Sequence, residues 1–138
     1  STQAYDAHQQ QFTTELSLCT NQIQDQLNAL FQLVTNMDAR MDAQFWNMGA
    51  RMWNSEVHHA TGALVILQSV ERGPNPRVPI GRPIPDFPGT PNQISQMSAP
   101  QCRNLLTSLG IPAPQGNQAG ARRQLRTAVR EAVGLVAL

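Results

Sequence analysis

The apolar positions Phe12, Leu16, Cys19, Ile23, Leu27, Leu30, Val34, Met37, Met41, Phe45, Met48 and Met52 follow one another at gaps of 4, 3, 4, 4, 3, 4, 3, 4, 4, 3 and 4 residues. That spacing keeps every member on one side of an α-helix. The mean step of 3.64 residues lies between the 3.5 of a heptad seam and the roughly 3.67 of an eleven-residue repeat, so the stripe runs almost straight along the helix. Tyr5, seven residues before Phe12, extends it. A second stripe begins one residue around the helix from Phe45: Trp46, Gly49, Trp53, Val57, Ala60, Leu64 and Leu67, at gaps of 3, 4, 4, 3, 4 and 3. The doubled apolar width exceeds what a two-stranded coiled coil uses. It predicts that residues 37–53, which hold four methionines, both tryptophans and Phe45, meet more than one neighbour. Gly49 admits one of them closely, and unbranched methionine fills the irregular gaps.

These stripes predict an unbroken helix over about residues 5–70, roughly 100 Å long at 1.5 Å per residue. The rest of the chain is too short to cover it, so the helix either folds back as a hairpin or pairs with copies of itself. The expectation is an all-α protein whose residues 1–72 form a long assembly helix in an oligomeric bundle or coiled coil. The large apolar side chains of both stripes, from Phe12 to Leu67, are its predicted interface. Between Gln9 and Met37 the polar side is amide-rich, with Glu15 and Asp25 as its only charges. It lacks the flanking charges that usually set coiled-coil register.

Residues 73–91, "GPNPRVPIGRPIPDFPGTP", contain seven prolines, a density that excludes helix and central strand and favours an extended path. Val78, Ile80, Ile84 and Phe87 alternate with them, which predicts a strap over residues 73–96 laid along an apolar surface and wrapping neighbouring copies. Residues 97–138 predict a helical hairpin that caps or bridges those copies. Ser98 caps the first helix, Pro100 sits in its first turn, and Gly110 and Pro112 end it. A second helix from about Gln118 turns Leu125, Ala128, Val129, Ala132 and Val133 inward and Arg122, Arg123, Arg126 and Arg130 largely outward.

Charge adds a polarity to this picture. All basic side chains are arginine, permanently charged and directional in hydrogen bonding. Residues 1–70 carry six acids and two arginines, residues 71–89 three arginines and two acids, and residues 90–138 five arginines and one acid, hence −4, +1 and +4. Opposite ends of the chain therefore attract, which favours head-to-tail assembly. Cys19 and Cys102 stand alone, without zinc-ligand spacing or an activating histidine. His58 and His59 diverge by about 100° on a helix, and the Met37/Met41 and Met48/Met52 pairs read as core packing rather than as thioether ligands for Cu(I). With no phosphate loop, catalytic triad or dinucleotide fingerprint, the sequence predicts a non-enzyme without cofactor, membrane or small-molecule substrate. Lacking a secretory signal or a long apolar run, it is expected in the cytoplasm or nucleus, with secretion after processing left open.

The order "IPDFPGTP", "LLTSLGIP", "ARRQLR", "EAVGL" is similar to the helix-extension-helix hairpins of SAP-type modules. It resembles more closely the C-terminal segment of an uncharacterised fungal family named for meiotically up-regulated genes. The resemblance covers residues 84–135, about 38% of the 138-residue chain. The SAP-type likeness implies nucleic-acid contact through Asn117, Arg122, Arg123 and Arg126 at the start of the second helix, where amides and arginines would meet phosphate. A self-assembling structural or scaffolding protein is thus the first expectation. A SAP-like nucleic-acid-binding module dimerised by a coiled coil is the second, and a viral coat protein the third.

Overall fold

The computed structural model describes residues 2–73, 78–115 and 120–136. Four helices appear among them: α1 (Thr2–Ser55), α2 (Pro91–Ser95), α3 (Ala99–Ser108) and α4 (Ala121–Val133). A single antiparallel bridge, Gln68 to Pro83, is the β-pairing among the described residues, so the protein is all-α. The chain divides into two units, Ser1–Met37 and Asp38–Leu138, at a point inside α1.

The first unit is helix throughout its described length, and every residue from 2 to 35 is exposed. Its hydrogen bonds beyond the helix ladder are local. Thr13, Thr14, Thr20 and Thr35 each return a hydroxyl to the carbonyl four residues back.

The second unit is built around residues 64–70, which run extended between the last turns of α1 and the proline strap. Here the structure corrects the predicted helix: α1 ends at Ser55, not near Val70. Glu56 N donates to Trp53 O at 3.1 Å and Val57 N to Asn54 O at 3.0 Å, tightening the last turn before the chain leaves the helix. The following residues, Val57, His58, His59, Thr61 and Gly62, are weak helix formers, whereas 64–70 finds partners for its backbone on both sides. Asn47 donates from Nδ2 to Gln68 O at 2.8 Å and accepts at Oδ1 from Gln68 N at 2.7 Å. Asn54 grips Val65 in the same way, at 3.2 and 2.7 Å, and also donates to Val133 O at 2.9 Å. On the opposite edge Leu64 N meets Gly89 O, Ile84 N meets Leu67 O, and Ser69 exchanges bonds with Gly81 and Arg82. Thus Leu64 and Leu67, predicted on a helical assembly face, lie buried inside their own chain, and Val57 packs half-buried against the same core.

The strap follows its apolar alternation inward. Val78 and Ile84 are buried, and Phe87 packs on the core, so the strap covers apolar surface of its own chain. It ends earlier than residue 96, because Thr90 caps α2, accepting from Gln93 N at 3.3 Å, and Pro91 opens that helix. The hairpin expected beyond it is present and packs Cys102, Leu105, Leu106 and Leu109 of α3 against Leu125, Val129, Ala132 and Val133 of α4. Ser98 and Gln101 form the capping box of α3. Gly110 and Gly134, both at positive φ, let the N–H of the next residue reach back to the carbonyls of Leu106 and Arg130, each at 2.9 Å, the glycine-terminated helix end. Gln118, the expected start of α4, lies outside the described residues.

Two substitutions and one surface control test this packing. A Cβ on Gly134 would lie 2.6 Å from Arg51 O, and its φ of 99° disfavours any side chain. Gly134→Ala is therefore expected to cost about 2–4 kcal/mol in chemical denaturation. Asn54→Ala strands the Val65 amide and two carbonyls in the interior, for an expected loss of about 3 kcal/mol. Phe45→Ala, by contrast, should stay within about 0.5 kcal/mol of the native protein when chains are dilute enough to be apart.

Candidate self-association surface

Within the second unit α1 presents two rows of identical spacing. Ala43, Asn47, Ala50 and Asn54 are buried. Met41, Phe45, Met48 and Met52, each two residues earlier, are exposed. Two helical residues subtend about 200°, so the apolar row points away from the core while the small and amide row points into it. A helix ordinarily buries its most apolar side. This one is turned over, because its docked face contributes amide hydrogen bonds rather than apolar area.

Trp46, Gly49 and Trp53 flank the buried row, one residue before Asn47, Ala50 and Asn54. Trp46 donates its indole N–H to Ile66 O at 2.8 Å, which fixes the ring while leaving it half exposed. Trp53 is 65% exposed and Phe45 73%. Together with Gly49, Ala50 and Val65 these aromatics line a shallow, mostly apolar groove of about 350 Å³. Gly49 forms open floor, since a Cβ built there meets nothing within 4 Å.

In the first unit Phe12, Leu16, Ile23, Leu27, Leu30, Val34 and Met37 of the predicted interface are all more than half exposed. The same is true of Leu18, Phe31 and Leu33, which a single stripe does not include. Each lies one residue from a stripe member, so a search for neighbours of the stripe would have found them.

The residues implied in nucleic-acid contact do not form one free cluster. Arg122 and Arg126 each donate through Nε to Met97 O, at 3.2 and 3.1 Å, and Arg130 donates to Ser95 Oγ at 2.6 Å. These bonds tie α4 to α2 and to the turn before α3. Arg123 is exposed, and Asn117 lies outside the described residues. Two further arginines also bond within the fold. Arg40 donates to Val70 O at 3.0 Å and pairs with Glu71 at 3.3 Å, and Arg51 donates to Ala132 O at 2.8 Å. Burial lowers the Arg51 pKa from its ordinary value.

Among the described residues no group of three or more His, Cys, Asp or Glu side chains is placed to hold a metal ion, and no helix is long and apolar enough to cross a membrane. No family model, curated protein or solved structure matches the chain.

The two cysteines report separately on the two units. Cys19 is exposed on the apolar stripe and Cys102 is buried in the core. Burial pushes the Cys102 thiol up, partly offset by Arg126, Arg122 and Arg103. At concentrations low enough to keep chains apart, a thiol reagent is expected to modify Cys19 at least tenfold faster than Cys102, a difference that denaturant abolishes. Because the unfolded thiol ionises first as pH rises past 9.0, the Cys102 contribution to stability should decline above that pH. Comparing denaturation of the wild type and Cys102→Ala across pH 8 to 10 checks the sign.

Proposed function

We propose that this chain is a self-assembling structural or scaffolding protein whose copies associate through the apolar side of α1 into a homo-oligomer or filament. One observation carries the reading: α1 docks its own chain by its alanine and asparagine row, and leaves its large apolar side chains in water over both units. Contiguous exposed apolar surface on this scale is a mark of an interaction site. The first unit adds to the argument, because a helix with no packed face gains little of the tertiary stabilisation on which most helices depend.

The polar chemistry favours copies of the chain over a lipid surface. Interfacial helices that bind anionic membranes carry Lys and Arg on the polar side, and residues 1–37 contain neither. For nucleic acid, the α4 arginines nearest the implied contact region have donors engaged with Met97 O, which supports a packing role for them.

Sedimentation velocity from nanomolar to tens of micromolar tests the proposal. The expected result is a mass that rises with concentration above the 15.2 kDa of one chain. Changing Leu16, Ile23 and Leu27 together to Gln keeps helix propensity but removes apolar burial worth about 1.5–3 kcal/mol at each position. Assembly should then need at least a 100-fold higher concentration. A wild-type chain that sediments as a single copy over the whole range contradicts the proposal.

A further inference from the structure

The charged residues divide between the two units along with the apolar surfaces. Ser1–Met37 holds Asp6, Glu15 and Asp25 and no arginine, a net −3, whereas Asp38–Leu138 holds all ten arginines against six acids, a net +4. Pairing first units with each other, or second units with each other, brings like charges together. Pairing a first unit with a second brings opposite charges together.

Trp46 and Trp53 stand seven residues apart on α1, about 10 Å along the axis. The groove between them is shallow and mostly apolar, so it can take apolar side chains projecting from a crossing helix. Gly49 lies between them with nothing within 4 Å of where its Cβ would be, so a backbone can approach there. Residues 2–35 are exposed throughout, and in the second unit Phe45 and Trp53 remain in water. The first unit also has enough apolar surface to fill the groove. Tyr5, Phe12 and Phe31, with the exposed aliphatic side chains and Met37, supply that surface.

We infer that the groove lined by Phe45, Trp46, Gly49, Ala50, Trp53 and Val65 receives the Ser1–Met37 helix of a second copy. The inference rests on the self-assembly proposed above and specifies its geometry. The contact is heterologous, with an acidic apolar helix on one side and an aromatic groove on a basic unit on the other. Each copy therefore offers one donor and one acceptor, and the arrangement propagates into a filament or closes into a ring.

Mixing two full-length variants tests this directly. The donor-dead chain carries Leu16→Gln, Ile23→Gln and Leu27→Gln. The groove-dead chain carries Gly49→Glu, which fills the open floor and repels an acidic helix. Replacing glycine in a helix raises propensity, so its Tm is expected to be unchanged or higher. Should Gly49→Glu nevertheless unfold, Phe45→Glu serves in its place. Where the wild type assembles, each variant alone is expected to sediment as one chain, and the equimolar mixture as a two-chain species of doubled mass. Assembly of the groove-dead chain alone, as helix-to-helix pairing of first units would give, overturns the inference. So does a mixture that stays single-chain while the wild type assembles. A wild type that never assembles removes the underlying proposal and this one with it.

Discussion

Asn47 and Asn54 each satisfy both backbone groups of one residue in the extended segment, Gln68 and Val65. They do for residues 64–70 part of what a neighbouring strand would do in a sheet. Unpaired N–H and C=O groups cannot be buried cheaply, so this segment could not sit against a helix without side chains that donate and accept together. The small Ala43 and Ala50, which alternate with the amides along the buried row, let the segment come close. Once that face of α1 is committed, helical geometry forces the methionine and phenylalanine row to the opposite side.

The rest of the second unit closes on this arrangement. The strap pairs with the other edge of residues 64–70 through Gly81, Arg82, Ile84 and Gly89, and α3 and α4 complete the core beneath it. Arg51 and Asn54 bond the carbonyls of Ala132 and Val133 at the end of α4, and Gly134 provides the close approach there. Side chains from α1 thus reach both the extended segment and the last turn of the hairpin. The core of this unit is built from its own residues, and the methionine and phenylalanine row of α1 stays outside it.

The sequence disclosed the helical class, the cap at Ser98, the glycine end at Gly110 and the inward side of α4, because each depends on residues a few positions apart. It also disclosed the exposed row from Phe12 to Trp53, since helical spacing survives whether or not a partner is present. It misplaced residues 57–70. Leu64 and Leu67 happen to continue a helical spacing, whereas their conformation is set by partners distant in sequence. The signal that could have corrected this was present: Asn47 and Asn54 seven residues apart with alanines at 43 and 50, and β-branched Val65 and Ile66 in the short apolar run 63–67. A search confined to apolar periodicity does not register an amide row as a docking face. The short helix at Pro91 was obscured by the proline density before it, although Thr90 followed by proline is a local start signal.

The central claim is that the apolar side of α1 is completed by other copies of the chain while the second unit folds on its own. Hydrogen–deuterium exchange measured over a range of protein concentrations tests it most directly. The account predicts that amides of residues 2–37 gain protection as concentration rises and lose it on dilution, while those of 64–70 remain protected throughout. Protection of residues 2–37 that is the same at every concentration would contradict it.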